Sequence, residues 1–268
     1  MLDAPEGRLS LVPDATPAAP IVIAASHSLR LTQPRTLKHG DTFAVFDQHG
    51  DAIADSGGSD GIFHCDTRHL SHFHLTIYGW RPVLLSSVLR DDNAAFSCDL
   101  TNPDLFDTQG QLAMPHDVIH IRRSRFLWEG TCYERLAVRN FDDTPRRISL
   151  ELAFAADFAT CSRCAAPRAH RGRSHPPVLT ESGARLAYTG LDDCERTTHL
   201  TFDPAPTRLR DDLAVFELEL IPQKTHLLYV EVCCDQLRHD GRRPRGAFPS
   251  ALRASRRALR GLSAGAQR

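Results

Sequence analysis

The chain has 268 residues, a hydrophobic fraction of 41% and a formal net charge of −1, from 32 basic and 33 acidic side chains. That apolar share suffices for a core and argues against disorder, while the charge balance gives no global attraction to nucleic acid or an anionic membrane. No apolar run approaches the ~20 residues needed to span a bilayer. Residues 1–20 carry Asp3, Glu6 and four prolines and have neither the basic start nor the apolar centre of a signal peptide, so the expected location is cytoplasmic. Eight cysteines are scattered through a chain too large to need stapling, and buried thiols are expected rather than disulfides.

Residues 1–30, rich in Pro, Ala and Ser, have the composition of a flexible tail. From Thr42 onward, short strands follow one another. Phe43 and Val45 alternate with polar neighbours, and His49-Gly50-Asp51 supplies a turn. Phe73, Leu75 and Ile77 repeat every second residue, the period of a half-buried strand. Gly79-Trp80 turns the chain into Val83-Leu84-Leu85, and further strands are predicted over Val118–Trp128, Tyr133–Asn140 and Arg147–Ala155. The last two are joined by Asp142-Asp143-Thr144-Pro145, which has the chemistry of a hairpin connection. A Pro222-Gln223-Lys224 turn links Ala214–Leu220 to Leu228–Val232 in the same way.

Two stretches break the strand pattern. Residues 161–177 are basic and contain three prolines, which predicts a long exposed loop. After Asp235 there are nine arginines and one acid, Asp240. Within that segment Phe248, Leu252, Leu259 and Leu262 share one face of a helix expected to begin near Pro249. No second helix follows for it to pack on. The expected organisation is a tail (1–30), an all-β, large antiparallel β-sandwich (31–235), and a basic linker with an amphipathic helix (236–268).

The densest polar cluster is His64-Cys65-Asp66-Thr67-Arg68-His69, with His72 and His74 behind it. Imidazoles and thiolates are good zinc ligands, but no second Cys-x-x-Cys or distant His pair completes a tetrahedral set, so no metal is expected. The lone Cys161-Ser162-Arg163-Cys164 lacks a partner pair for the same reason. Asp66, Thr67 and Arg68 together can hydrogen-bond sugar hydroxyls, or they can satisfy backbone groups at a strand entrance. Asn93 and Asn102 sit in segments rich in side chains that bind backbone, which turns or ligand contacts explain equally well. Trp128, beside Glu129 at a strand end, offers an aromatic platform for a sugar ring, although tryptophan is more often core. No phosphate loop, nucleophile elbow or Cys/His nucleophile arrangement is present, and no cofactor is expected.

An ordered series of segments resembles the N-terminal domain of bacterial glycogen debranching enzymes of the amylo-α-1,6-glucosidase type. It comprises Leu37–Phe43, Gly61-Ile62-Phe63, Asp66–Ser71, Leu84–Ser87, Asp92-Asn93, Leu100–Asp104, Ile119–Arg123, Tyr133–Leu136, Arg139-Asn140 and Ala155–Phe158. The resemblance implies a sandwich of the super-sandwich type, followed through a linker helix by an (α/α)6 toroid that carries the catalytic carboxylates. No toroid is encoded within these 268 residues, so this chain alone is expected to be non-catalytic. Its implied partner is the (α/α)6 glycosidase domain, with α-glucan as a further contact. The candidate substrate or interface residues are Asp66, Thr67, Arg68, Asn93, Asn102 and Trp128. The alternative is a stand-alone protein that docks a separately encoded catalytic subunit through the apolar face of its terminal helix. Relatives continue after Asp157-Phe158 with an acidic, apolar stretch, whereas this chain has Ala159–Arg163.

Overall fold

The computed structural model describes residues 34–54, 58–90, 92–160, 172–235 and 243–265. Nineteen strands and one helix are found there, and every strand pair is antiparallel. A four-stranded sheet runs β1 (Arg35–His39), β2 (Thr42–Phe46), β4 (Gly61–His64), β5 (Thr67–Leu70). A five-stranded sheet has the order β17 (Arg208–Leu209), β18 (Leu213–Leu220), β13 (Arg146–Ala155), β6 (His72–Ile77), β3 (Ala52–Ile53). The largest sheet has eight strands in the order β14 (Arg173–Thr180), β15 (Gly183–Thr189), β16 (Glu195–Asp203), β19 (Thr225–Cys234), β12 (Thr131–Asn140), β11 (Ile119–Trp128), β8 (Ala95–Thr101), β7 (Val83–Leu89). A two-stranded ribbon, β9 (Leu105–Phe106) with β10 (Leu112–Met114), completes the set.

The inner faces of the sheets share one core. Ile148, Leu150, Leu152 and Phe154 of β13 are buried, as the period-two pattern predicts. Phe154 and Phe216 on the five-stranded side meet Phe202 of β16, with ring centroids 6.2 and 5.9 Å apart. The architecture is therefore a large antiparallel β-sandwich of the super-sandwich type, as the sequence indicates.

Three local expectations are overturned. The Asp142–Pro145 turn is not a hairpin: β12 lies in the eight-stranded sheet and β13 in the five-stranded one, so the chain crosses between layers there. The Pro222–Lys224 turn does the same between β18 and β19. Turn chemistry specifies a reversal, but two strands that each bury one face can pack face to face as well as side by side. Third, residues 173–177, expected within a loop, form the start of β14 despite Pro176 and Pro177. β14 is the sheet's outermost strand, and its register shifts between His175 and Val178. An edge strand with a bulge tolerates missing N–H donors. Cys161, Cys164 and the rest of that stretch to residue 171 lie outside the described residues, as do the tail 1–33 and residues 236–242.

Helix α1 (Pro244–Gly265) begins a turn and a half earlier than expected, with Pro244 rather than Pro249 at its first position. Asp203 Oδ2 accepts a hydrogen bond from Arg245 N at 3.1 Å, capping the start. The helix is not unpartnered. Phe248 is buried on the outer face of the eight-stranded sheet, edge-on to Phe126 (5.1 Å) and Tyr229 (5.7 Å). Ala251 is buried in the same cluster, which Leu252 packs against. The side chain of Leu262 lies outside the described residues. No helix among the described residues is long and apolar enough to cross a membrane.

Candidate functional site: a cleft framed by hairpin tips

Three two-residue turns converge at one end of the sandwich. In β1–β2, His39 pairs with Thr42 across Gly40-Asp41, and Gly40 has φ +56°. In β4–β5, His64 pairs with Thr67 across Cys65 (φ +45°) and Asp66 (φ +63°). In β11–β12, Trp128 pairs with Thr131 across Glu129 (φ +46°) and Gly130 (φ +74°). Tight turns between twisted strands need positive φ at both central residues in type I′ and at the first in type II′, which glycine or asparagine usually meets. Here Cys65, Asp66 and Glu129 adopt it instead, and so does Asp235 at the end of β19, with φ +62°. Side chains forced into this region cost about 1 kcal/mol or more each and gather at functional sites.

Between these tips lies a cleft of about 550 Å³ lined by His39, Gly40, Asp41, Thr42, His64, Glu129, Gly130, Cys234 and Asp235. Among the described residues its lining carries three carboxylates and two imidazoles, with no lysine or arginine. Glu129 N donates to His39 Nδ1 at 3.3 Å, so the proton of a neutral His39 sits on Nε2. The His39 ring rests on Trp128, centroids 4.5 Å apart and tilted by 46°. His64 Nδ1 lies 2.8 Å from Thr42 Oγ1, and its Nε2 lies 3.4 Å from Cys65 Sγ.

Behind the wall is His69, fully buried on β5. Its Nδ1 donates to Thr197 O at 3.1 Å, while Nε2 points at Asp235 Oδ2, 3.5 Å away. Nε2 has no hydrogen-bond partner among the described residues. Burial pulls the imidazole down to about 4, and the Asp235 carboxylate offsets only part of that shift. Neutral His69 therefore presents a lone pair to a carboxylate oxygen. Asp235 Oδ1 is occupied by Thr197 N at 3.1 Å.

Of the six residues singled out in the sequence, Trp128 supports a side chain of the cleft, the His39 ring. Asp66 is exposed at the adjacent β4–β5 tip, outside the lining. Thr67 is buried and bridges Thr160. Arg68 is buried and turned away: it forms a bidentate pair with Asp157 (3.0 and 2.5 Å) and donates to Gly58 O at 2.7 Å. Asn93 is exposed on the β7–β8 turn, where its carbonyl accepts from Lys38 N. Asn102 is fully buried: its amide donates to Pro103 O and Pro115 O, and its oxygen accepts from Val118 N and Ile119 N. All of its hydrogen-bonding capacity is spent on backbone. The polar neighbours His72 and His74 stack edge-on at 5.6 Å, with burial lowering His74, and no group of three metal-ligating side chains converges among the described residues.

Sequence reasoning passed over His39, Asp41 and Asp235 as site residues. His39 and Asp41 share one turn, but Asp235 and Glu129 are far from them in the chain and meet them because β1, β11 and β19 end together. A second feature is equally illegible. Arg123 and Arg125 of β11 and Glu134 of β12 are buried in the sandwich with Asp51. Glu134 bonds Arg123 Nε and Arg125 Nη2, each at 2.8 Å, and Asp51 Oδ1 meets Arg123 Nη1 at 2.6 Å. Burial by itself would raise Glu134, but the two guanidinium groups outweigh it and hold the carboxyl below its usual range. Arg123 also donates to His49 O and Arg125 to Gly50 O, so the network clamps the β2–β3 turn onto the sheet.

The fold and cleft define the class: an all-β super-sandwich domain with a polar cleft at its hairpin end. More particularly, the chain belongs to the family described as the N-terminal domain of (some) glycogen debranching enzymes, whose model matches residues 37–231. A comparison with curated protein sequences finds no significant match. Among solved structures, a protein from the human microbiome described as a kojibiose phosphorylase is similar at TM-score 0.47 and 11% identity, over 83% of this chain. This chain spans 32% of that protein's length. An Escherichia coli protein described as an aldose 1-epimerase is similar at TM-score 0.42 and 9% identity, over 77% of this chain and 100% of that one. A galactose mutarotase-like protein from Lactobacillus casei is similar at TM-score 0.38 and 9% identity, over 75% and 100% of the two chains.

Proposed function

We propose that this chain is a non-catalytic N-terminal β-sandwich module of a glycogen-debranching-type α-glucan glycosidase, packing against the (α/α)6 domain that carries the catalysis. Family membership over residues 37–231 carries the reading. An exposed apolar cluster supports it. Strand register places Val83, Phe141 and Ile221 at the end of the eight-stranded sheet away from the cleft, and the β9–β10 ribbon with Phe106 and Leu112 lies in the connection from β8 to β11 at that end; each is 45–61% exposed. Single exposed apolar residues are ordinary, but several at one end of a domain suit a domain interface. The alternative of docking through the face of the terminal helix loses its main support, because Phe248 is already buried on the sheet. The test is to mix the purified chain with the (α/α)6 domain encoded with it or beside it and follow both by size-exclusion chromatography. Co-elution that is lost when Phe106 and Leu112 are changed to Ser is expected. Separate elution of the two wild-type proteins overturns the reading.

A further inference from the structure

The chemistry of the hairpin-tip cleft restricts what can enter it. Asp41, Glu129 and Asp235 only accept hydrogen bonds, and no guanidinium or ammonium group belongs to the lining among the described residues. The three carboxylates therefore disfavour anionic ligands such as phosphates by like charge. An apolar ligand finds no apolar wall, since the remaining lining is glycine, threonine, histidine and one cysteine. A bare metal ion finds no convergent set of three ligands among the described residues.

Two features point to a ligand that donates as well as accepts. His69 Nε2 is a buried lone pair facing Asp235 Oδ2 at 3.5 Å, so this part of the wall has more acceptors than donors. A hydroxyl that donates to Asp235 from the cleft side gives this acceptor-rich wall a donor, with His69 held behind it. Across the cleft, His39 offers the reverse: its Nδ1 is taken by Glu129 N, which leaves Nε2–H as a donor, and the ring is held on Trp128. A hydroxyl is the group that both donates to a carboxylate and accepts from an imidazole. A neutral polyhydroxylated ring satisfies both walls at once and can lie against the His39–Trp128 pair.

We propose that the cleft formed by the β1–β2, β4–β5 and β11–β12 tips is a saccharide-binding subsite, with Asp41, Glu129, Asp235 and His39 as its polar contacts and Trp128 as its aromatic support. The choice of an α-glucan as the saccharide rests on the function proposed above; the cleft and its preference for neutral polyols do not. A cationic polyamine is the competing ligand for a carboxylate-rich cleft, and the experiment separates the two.

The probe is Trp128 fluorescence in the full chain carrying Trp80→Phe, which leaves one tryptophan. Maltotetraose, glucose, galactose, xylose, spermidine and inorganic phosphate are titrated separately. Maltotetraose is expected to change the emission saturably, and phosphate is expected to leave it unchanged. Asp41 and Glu129 are exposed on turns, so the Asp41→Asn, Glu129→Gln double variant should keep the parent melting temperature. Loss of two charged hydrogen-bond acceptors should weaken maltotetraose binding by about tenfold or more. Saturation by spermidine but not by any of the saccharides overturns the proposal. So does an absent response to maltotetraose and to glucose, galactose and xylose alike, or a saccharide affinity unchanged in the double variant. None of these outcomes bears on co-elution with the (α/α)6 domain, so the two proposals fail independently.

Discussion

Replacing Glu134 with Gln removes one negative charge from the centre of the sandwich with almost no change of shape. Glu134 is 1% exposed, and each of its oxygens accepts from a different arginine, at 2.8 Å. Glutamine keeps one acceptor and turns an NH2 group toward the other guanidinium, setting donor against donor. Arg123 retains Asp51, but Arg125 is left with Gly50 O and the faces of Phe46 and Phe73, 4.3 and 4.8 Å from its guanidinium carbon. Stranding a buried charge in this way costs about 3–5 kcal/mol. Against the ~5–15 kcal/mol that stabilises a typical domain, that is a large fraction. In urea, with a slope of about 2–3 kcal/mol/M, the unfolding midpoint should fall by about 1–2 M. The control is Glu195→Gln, which breaks a pair with Arg185 whose side chains are 36% and 52% exposed. Exposed pairs contribute about 0–1 kcal/mol, so its midpoint should barely move. Equal midpoints for the two variants would refute the assignment of this network as the clamp of the β2–β3 turn.

Three further outcomes follow from the same geometry. His69 is held neutral by burial, at about 4 against an ordinary 6.5. The unfolded chain therefore takes up the proton first, and stability should fall by on the order of 3 kcal/mol as pH drops from 6.5 to 4. That segment of the pH–stability curve should flatten in His69→Gln; an unchanged slope would show that another group titrates there. Phe248→Ala should release α1 by removing its aromatic contacts, at a cost of about 3–5 kcal/mol. Limited trypsinolysis should then cut at Arg253, Arg256 and Arg257 several-fold faster, while the strands stay resistant. Thiol labelling with peptide mapping should modify exposed Cys65 and Cys194 quickly. Cys98 and Cys132, buried and pushed up to about 12, should react only after unfolding.

The fold was legible wherever burial alternates along one strand. β6, β11, β12 and β13 stand within two residues of where their periodicity places them. Sheet membership was not legible, because Asp142–Pro145 and Pro222–Lys224 have the same turn chemistry whether the strands they join pair or pack. The helix face was visible from Phe248 and Leu252, but its first residue was not, since Pro244 and Pro249 both fit a helix start. The cleft was the least accessible part. Trp128 and Glu129 stood out through their position at a strand end, whereas Asp41 and Asp235 carry no local motif. Arg68 and Asn102 looked like candidates because they are polar, yet Arg68 serves Asp157 and backbone carbonyls, and Asn102 serves backbone alone, inside the fold. Arg123-x-Arg125 opposite Glu134 was hidden for a related reason: alternating charges resemble a solvated face until the strand register turns them inward.

Whether the sandwich is an accessory module is decided by glucose release from glycogen limit dextrin, assayed with the purified chain alone and after addition of the proposed (α/α)6 partner domain. No release by the chain alone is expected, and faster release from the mixture than from the (α/α)6 domain by itself. Turnover by the chain alone, abolished by Glu129→Gln, would overturn the accessory role and make the sandwich itself the enzyme.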